Sequence, residues 1–288
     1  MVTKKQHYYP RTLLKHFANN DNKLYVYNHK ANKEQYVHYE NICYQNYTYE
    51  EIDTKGQRKT DNILEEKLSH YEGKISKVVS KILDTEIDKI SISDEEIKIV
   101  WTYLFLQEIR TNSGRVRIIT NFENNFSKPR KSPIELNEIE NNKEKNNKEK
   151  IQKFNKIFKE KNNLEDLLKY FKKPNSMHFH IAIGDGFITS DNPVISTFGP
   201  QNKPNGFQII FPISPNFCLE FQNDDINNSN NLLVQMTPDK IQYVNKATIN
   251  TANYYIISTN KFDITQQSYI YNRFNNKNWE MPYPHSNN

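Results

Sequence analysis

The central part of the chain carries apolar residues at the three- and four-residue spacing of an amphipathic helix. In the first such segment the apolar stripe consists of Leu64, Leu68, Tyr71, Ile75, Val78 and Ile82. Asp61 precedes the stripe and is a favourable N-cap, because its carboxylate can accept the unpaired backbone N–H groups of a first helical turn. The pattern therefore predicts a long helix that buries this stripe.

Three further helices are predicted from the same spacing. One begins at Ser93, with Glu96 three residues later as in a capping box, and its apolar face comprises Ile97, Trp101, Leu104, Phe105 and Ile109. Two others have apolar positions at Ile151, Phe154, Ile157 and Phe158, and at Leu164, Leu167, Leu168 and Phe171. Near the N-terminus, Pro10 followed by Leu13, Leu14 and Phe17 predicts a shorter helix.

At both ends of the chain the pattern changes to short runs of β-branched and aromatic residues, which favour strands. A hairpin is predicted over residues 24–27 and 36–39, and residues 42–44 can extend its sheet. C-terminal strands are predicted at 178–183, 187–189, 207–215, 217–221, 234–236 and 254–258, and a helix within 241–252. Gly184-Asp185-Gly186 predicts a hairpin turn between the first two of these strands.

Strands at both ends with helices between them predict an α+β fold rather than a regular alternation of strand and helix. We expect a mixed or antiparallel sheet built from the N- and C-terminal segments, with the central helices packed on it. A chain of 288 residues fits one domain, 1–288. The charged, low-complexity tract at about 128–150 is expected to be an insertion, because mixed Lys, Glu and Asn cannot bury apolar surface.

Composition and charge limit the classes of function. A net charge of +5 permits phosphate-rich partners without requiring them. No stretch approaches the roughly 18 apolar residues of a membrane span, and the N-terminus lacks the apolar core of a signal peptide. Cys43 and Cys218 lie in apolar-aromatic runs, as expected for buried thiols in a reducing compartment. These features predict a soluble, cytoplasmic protein.

The residues Thr189-Ser190-Asp191-Asn192-Pro193-Val194 place a hydroxyl, a carboxylate and a carboxamide at the end of a predicted strand. Rigid elements hold site residues better than loops do, so this corner is a candidate site. Asp191 and Asn192 also suit a simple turn, in which each side chain bonds nearby backbone before the proline. Both interpretations stay open from spacing alone.

Two stretches together resemble the domain of unknown function 4238 family. His7-Tyr8-Tyr9-Pro10, with Leu13, Leu14 and Phe17, is similar to its N-terminal signature, and 189–194 and Phe211-Pro212-Ile213-Ser214-Pro215 are similar to its later ones. Glu72, Arg110-Thr111 and the segment from Asn245 to Ala252 resemble its other motifs. The chain departs from the family pattern at Asn112, where proline is common. The family brings no settled reaction, so the resemblance implies positions rather than chemistry.

The motif positions contain residue types that suit attack on an anionic substrate such as a phosphodiester. The catalytic candidates are His7, Glu72, Arg110, Asp191 and Asn192, and the ligand-binding candidates are Arg11, Ser190 and Arg115. An imidazole moves protons near neutral pH, and a guanidinium binds phosphate through two parallel hydrogen bonds.

Each candidate also has a structural alternative. His7 can bond a backbone carbonyl, Arg110 can cap its helix or pair with Glu108, and Glu72 can be an exposed or paired helix residue. Glu108 itself lies on a predicted apolar face, where it is either wetted at the margin or paired. The nearest basic partners are Arg110, Arg115 and Arg117.

No metal ligand is assigned and the cofactor is unknown, with Mg²⁺ as the candidate. Asp191 with Glu72 can hold Mg²⁺, because this ion needs few protein ligands. His178 and His180 face the same side of a predicted strand and, with Asp185 or Asp191, have the types of a zinc or iron site. No phosphate-cradling glycine loop, nucleophile elbow or Cys–His pairing is present in the sequence.

Three functions remain open at this point. The first is a nuclease-like hydrolase acting on nucleic acid or nucleotides, as in phage defence or a bacterial toxin effector. The second is a non-catalytic module that binds a phosphate-bearing small molecule or a nucleic-acid backbone. The third is a structural or partner-binding protein in which the motif residues only fix turns and sheet corners. The sequence leaves the oligomeric state open.

Overall fold

The computed structural model describes residues 3–53, 55–123, 145–198, 207–223, 232–276 and 278–279. The chain divides into two compact units, each built from separate segments. Unit 1 comprises 1–10, 43–80 and 94–172, and unit 2 comprises 11–42, 81–93 and 173–288. The expectation of one domain stays a prediction.

The strands and helices follow one another along the chain as the hydrophobic pattern broadly predicts. The described strands are β1 (Lys5–His7), β2 (Lys23–Asn28), β3 (Lys33–His38), β4 (Tyr44–Asn46), β5 (Glu51–Ile52), β6 (Arg58–Lys59), β7 (His178–Ile183), β8 (Thr189–Ser190), β9 (Ile195–Phe198), β10 (Phe207–Pro212), β11 (Phe217–Gln222), β12 (Leu233–Gln235) and β13 (Tyr255–Ser258). The described α-helices are α1 (Arg11–Leu14), α2 (Ile63–Asp84), α3 (Asp94–Arg110), α4 (Asn112–Glu123), α5 (Lys145–Lys159), α6 (Asn163–Tyr170), α7 (Pro238–Thr251) and α8 (Ile264–Asn275). The predicted α+β class is confirmed.

Unit 1 is mainly helical, and its helices share an apolar cluster. The cluster consists of Tyr49, Leu64, Leu68, Leu106, Ile109, Ile118, Ile119, Phe154, Phe158, Leu164 and Leu167. Helices α2, α3, α5 and α6 contribute to it through the apolar stripes that predict them. Helix α4, which the spacing does not predict, contributes Ile118 and Ile119. The predicted N-cap is displaced by one residue, because Asn62 with φ 60° directly precedes α2. Asp61 still accepts a bond from the N–H of Ile63 at 3.1 Å.

The junction between α3 and α4 is tight. Thr111 accepts a hydrogen bond from the N–H of Gly114 at 3.0 Å and donates one to the carbonyl of Glu108 at 2.9 Å. A Cβ atom on Gly114 would overlap that same carbonyl oxygen. Asn112 is the first residue of α4, a position where proline loses no helical hydrogen bond.

Helix α5 begins inside the low-complexity tract. Residues 128–144 of the tract lie outside the described residues, so the prediction for them is not followed further. Residues 145–150 form the first turns of α5. Lys150 donates to the hydroxyl of Thr120 at 2.8 Å, and this hydrogen bond connects the C-terminal end of the tract to α4.

In unit 2 a four-stranded antiparallel sheet has the order β3-β2-β13-β8 and joins N- and C-terminal segments. A separate five-stranded sheet has the order β12-β7-β11-β10-β9, in which only the β12–β7 pair is parallel. The predicted extension of the N-terminal hairpin is wrong, because β4 pairs with β1 in a two-stranded sheet of unit 1. Cys43, with φ 57°, turns the chain before β4.

The predicted hairpin turn at 184–186 is also different in the structure. β7 pairs with β11 and β12, whereas β8 pairs with β13 of the other sheet. Gly186, with φ 86°, turns the chain away from β7 in a conformation that favours glycine.

Two helices of unit 2 start at well-formed caps. The hydroxyl of Thr237 accepts from the N–H of Lys240 at the start of α7. Asp263 and Gln266 form a complete capping box at the start of α8. The hydrophobic pattern of the sequence does not predict this helix. Helix α7 packs on apolar residues of β7, β9, β10 and β11, and α8 contributes Ile270 to a second cluster.

Candidate functional site

His7 is the last residue of β1 and is positioned by β4. It lies opposite Tyr44 in the strand register, and the two rings have centroids 5.4 Å apart. The next residue, Tyr8, donates its N–H to the carbonyl of Cys43 at 3.0 Å. The His7 side chain is half-buried.

Helix α3 holds this strand end through a polar stripe at spacings of four and three residues. The hydroxyl of Tyr103 donates to Gln107 at 2.7 Å, and the Gln107 amide donates to the carbonyl of Tyr8 at 2.7 Å. Arg110, one turn further on, donates to the carbonyl of His7. Two successive backbone carbonyls are therefore bound by one helix face. Burial raises the pKa of Tyr103 well above its ordinary value, so this hydroxyl keeps its proton.

Arg110 joins three segments of unit 1. One nitrogen of its guanidinium donates to Glu72 of α2, and the other donates to the His7 carbonyl of β1. The Arg110 side chain is 1% exposed, and that of Glu72 is 19% exposed. Burial is the largest effect and opposes the charge of Arg110, but Glu72 together with Tyr49, Tyr103 and Glu65 outweighs it, and the pKa of Arg110 is raised. The Arg110 guanidinium is therefore charged, and of the two side chains that of Glu72 is the one that reaches solvent.

A second buried arginine lies beside the first. Arg115 donates to the carbonyl and hydroxyl of Thr48, both at 2.7 Å, and to the side chains of Asn112 and Asn155 at 2.5 and 3.1 Å. Its guanidinium carbon lies 5.0 Å from the centroid of the Tyr49 ring, and that of Arg110 lies 5.9 Å away. Arg115 is thus engaged by neighbouring protein groups.

The sequence reasoning missed a buried carboxylate in the same unit. Glu50 accepts from the amide of Gln6 at 2.8 Å and from the backbone N–H groups of Asp61 and Asn62 at 3.0 and 3.3 Å. It therefore stabilises the chain that leads into α2. The sequence carries no local signal for this role, because the partners of Glu50 come from both directions along the chain.

Glu108 has a partner, which settles the alternatives left open for it. Its carboxylate pairs with Arg117 of α4, and the two side chains are 15% and 7% exposed. Of the three arginines considered as partners, the one that pairs with Glu108 is Arg117, which lies one turn after the start of α4.

Asp191 lies in unit 2 and binds backbone. Its two carboxylate oxygens accept from the N–H groups of Asn253 and Tyr254 at 2.9 and 2.8 Å. Its own N–H donates to the carbonyl of Tyr255 at 3.1 Å. Asp191 is 1% exposed, so it fixes the chain that connects α7 to β13 from inside the unit.

The neighbouring motif residues bind the same connection. The Asn192 amide donates to the carbonyl of Thr251 at 3.1 Å, and the Thr251 hydroxyl returns a bond to the Asn192 carbonyl at 3.3 Å. The Ser190 hydroxyl accepts from the N–H of Asn192 at 3.2 Å. On α7, Asn245 accepts from the N–H of Ile188 at 3.1 Å. These contacts attach the 188–192 segment to α7.

The predicted site residues thus fall into two groups. His7, Glu72, Arg110 and Arg115 belong to unit 1, where Arg110 contacts Glu72 and the His7 backbone. Ser190, Asp191 and Asn192 belong to unit 2, as does Arg11, an exposed residue 3.5 Å from Glu40. The catalytic and binding roles assigned to these residues stay predictions.

In the part of the chain that the structure describes, the residues considered as metal ligands do not form a cluster that could hold a metal ion. Among the described ranges, no group of three or more His, Cys, Asp or Glu side chains could hold a metal ion. His178 and His180 share a face of β7, opposite Gln222 and Glu220 of β11. Within the same ranges, no helix has the length and apolar character needed to cross a membrane.

Comparison with known proteins identifies a family. No curated protein and no solved structure matches the chain. A family model described as "Protein of unknown function (DUF4238)" matches residues 5–262. This range covers most of the chain, so the chain belongs to the DUF4238 family.

Proposed function

We propose that the protein is a nuclease-like hydrolase that cleaves phosphodiester bonds in nucleic acid or nucleotides, with the His7 imidazole as its acid–base group. The observation that supports this most directly is the double contact of Arg110 with the Glu72 carboxylate and the His7 backbone. One guanidinium therefore connects the backbone of a histidine with a carboxylate in unit 1. Preorganised groups of this kind are what acid–base catalysis requires.

In this proposal the three residues have different roles. The imidazole of His7 exchanges a proton with the attacking or leaving oxygen, since such a ring titrates near neutral pH. Glu72, whose carboxylate is partly exposed, orients the attacking water or a divalent ion such as Mg²⁺. Arg110 is a positioning residue, because both of its terminal nitrogens bind protein groups and its side chain is buried.

The structure offers a sharp variant for testing this role. Arg110 bonds the backbone carbonyl of His7, so replacing the imidazole leaves that contact in place. His7→Gln should therefore keep the fold and lose the chemistry. His70→Gln is the matched control, since His70 is an exposed histidine on α2 of the same unit.

The experiment incubates the purified protein with single-stranded RNA, single-stranded DNA, duplex DNA and a small chromogenic phosphodiester, with Mg²⁺ and with chelator. We expect cleavage of at least one substrate and a loss of about 10²–10⁴-fold in His7→Gln at an unchanged melting temperature. His70→Gln should match the wild type. No cleavage of any substrate, or full activity in His7→Gln, would refute the hydrolase.

A second candidate is a non-catalytic module that binds a phosphate-bearing ligand or a nucleic-acid backbone. The net charge of +5 supports it, because a positive protein attracts phosphate-bearing partners. The internal hydrogen bonds of Arg110, Arg115 and Asp191 instead support the third function, in which these residues only hold the fold. The same substrates distinguish the two candidates. A binding module retains them intact, with an affinity that falls steeply as salt rises. The roles in phage defence or as a toxin effector stay predictions.

A further inference from the structure

Three basic side chains of unit 2 lie against two aromatic rings: His29 and Arg273 against Phe274, and Lys30 against Tyr254. His29 and Lys30 directly follow β2, and Arg273 lies in the last turn of α8. The His29 ring centroid lies 4.6 Å from that of Phe274, and the guanidinium carbon of Arg273 lies 5.0 Å from the same centroid. The Lys30 ammonium lies 3.7 Å from the centroid of Tyr254.

The backbone fixes this arrangement. His29 donates its N–H to the carbonyl of Tyr254 at 2.9 Å, next to the β2–β13 pair. On the α8 side, Asn275 donates to the hydroxyl of Tyr27 at 3.2 Å, which attaches the end of that helix to β2. His29 and Arg273 are therefore anchored beside β2 and on α8, whereas Lys30 is an exposed residue of the turn that follows β2.

No acidic side chain compensates these charges within the described residues. None of the ion pairs found there involves His29, Lys30 or Arg273. Glu34, the carboxylate of the neighbouring strand β3, accepts from the hydroxyl of Tyr25 at 2.5 Å. Two buried nitrogens of the cluster, Nδ1 of His29 and Nε of Arg273, have no hydrogen-bond partner among the described residues.

The electrostatics agree with an uncompensated positive cluster. Burial, followed by the charges of Arg273 and Lys30, lowers the pKa of His29. Burial likewise lowers the pKa of Arg273. Like charges that are partly withdrawn from water destabilise a fold unless an anion offsets them.

We propose that His29, Lys30 and Arg273 bind a phosphate group, either as inorganic phosphate or as the phosphate of a small ligand. A guanidinium and an ammonium match the charge of a phosphate dianion, and the imidazole adds a hydrogen-bond donor. The site lies outside the family motifs and goes beyond the hydrolase proposed for His7.

The cluster gives binding a defined pH dependence. The charged groups that act on His29 are Arg273 from α8 and Lys30 beside it. The Phe274 ring that contacts His29 also lies against Tyr27 of β2, with centroids 5.7 Å apart, and Tyr254 before β13 accepts the His29 N–H through its carbonyl. A bound dianion offsets the two cations and favours the protonated imidazole, so binding takes up a proton. Affinity for an anion whose own charge is constant should therefore rise as pH falls from 8 towards 5, over roughly the range in which histidine titrates.

The experiment measures binding by calorimetry with inorganic phosphate, adenosine monophosphate and sulfate, the last because its charge is constant over this pH range. We expect millimolar or tighter binding, with Arg273→Gln weakening it by about tenfold or more. Lys261→Gln, which removes an exposed positive charge from the same unit, should bind within about twofold of the wild type. His7→Gln should also leave binding unchanged, which separates this site from the hydrolase.

Two further measurements keep the test decisive. If Arg273→Gln does not fold, Arg273→Lys replaces it. This variant keeps the positive charge but cannot form a bidentate hydrogen bond to phosphate, so it should still weaken binding. The NMR signal of the His29 imidazole should shift when sulfate is added to the wild type. Equal affinities for phosphate and adenosine monophosphate indicate recognition of the group itself, and tighter binding of the nucleotide indicates a phosphate carried on a ligand. Absence of binding to all three anions, or wild-type affinity in both Arg273 variants, would overturn the proposal.

Discussion

Arg110 donates to Glu72 from a side chain that is only 1% exposed, so a guanidinium inside unit 1 depends on one carboxylate of another helix. The same guanidinium holds the His7 carbonyl. Because these contacts join α3, α2 and β1, the pair fixes where the N-terminal strand ends. The position of the candidate acid–base group is therefore coupled to the integrity of this pair.

Replacing Glu72 with Gln should destabilise unit 1 strongly. The substitution leaves a buried, positively charged guanidinium without its counter-ion, and breaking such a pair costs about 3–5 kcal/mol. Urea unfolding followed by tryptophan fluorescence measures the change, since Trp101 lies on α3 of the same unit.

The double variant Glu72→Met with Arg110→Met is the matched control. It removes both charges, and an apolar pair of similar volume is often neutral or stabilising. We expect it to be more stable than Glu72→Gln alone. A Glu72→Gln protein as stable as the wild type would show that the carboxylate does not support Arg110.

Gly114 is required at the α3–α4 junction. A methyl group there would meet the carbonyl oxygen of Glu108, a backbone atom that cannot move aside without bending the end of α3. Gly114→Ala should therefore destabilise the protein by about 1–3 kcal/mol. Thermal unfolding followed by circular dichroism measures it.

Replacing Gly73 with alanine, in the same unit, should have the opposite effect on stability from Gly114→Ala. It lies within α2, and nothing lies within 4 Å of the Cβ that alanine would add. Gly73→Ala should stabilise the helix by up to about 1 kcal/mol, because alanine loses less backbone entropy on folding. Equal effects of the two substitutions would contradict the tight junction.

The long apolar stripes could be predicted because helix periodicity is local. The stripe of α2 contributes Leu64 and Leu68 to the core of unit 1, as its spacing indicates. Helix α8 was missed although Asp263 and Gln266 form a capping box, because its apolar positions are few. Apolar spacing likewise does not predict helix α4, whose buried residues include Ser113, Arg115 and Arg117. Spacing alone therefore does not identify helices that are half exposed, as α8 is, or that bury polar residues, as α4 does.

The polar contacts of the candidate site could not be predicted in the same way. Gln107 reads as a surface residue of α3, yet it is buried because its partner, the Tyr8 carbonyl, comes from another segment. Three arginines near Glu108 in the sequence were possible partners, and which of them pairs with it depends on the turn between α3 and α4, which selects Arg117. Contacts between distant segments carry no local signal, so only the folded chain reveals them.

Asp191→Ala should destabilise the protein whether or not Asp191 takes part in a reaction. The substitution removes two bonds to backbone N–H groups, of Asn253 and Tyr254, and hydrogen bonds to a charged group contribute about 1.5–3 kcal/mol each. We expect a loss of about 3 kcal/mol, measured by urea unfolding.

Asp185→Ala is the control, because Asp185 is an exposed residue of the preceding turn. It should change stability by less than about 0.5 kcal/mol. Activity of Asp191→Ala has to be assayed well below its melting temperature. Lost activity in a folded Asp191→Ala protein would support a chemical role, and unchanged stability would contradict the structural one.

His16 gives unit 2 a defined sensitivity to acid. It lies in a short 3₁₀ helix, Lys15–Phe17, and its Nε2 is buried with no hydrogen-bond partner among the described residues. Burial, helped by Lys15 and opposed by Asp84, lowers the pKa of His16 from 6.5 to about 4. The imidazole is therefore neutral in the folded protein over a range in which it is charged in the unfolded chain.

The sign of the effect follows from proton binding. Above pH 6.5 the imidazole is neutral in both states and contributes nothing. Between pH 6.5 and about 4 the unfolded chain binds the extra proton, so stability falls as the pH falls. Since the side chain is partly exposed, solvent screening reduces the total loss of unfolding free energy to about 1–2 kcal/mol.

His16→Gln, which does not titrate, should lose less stability than the wild type between pH 7 and pH 4.5 in urea unfolding. Parallel pH profiles of the two proteins would mean that the pKa of His16 is the same in the folded and unfolded states, so that His16 has no part in the acid sensitivity.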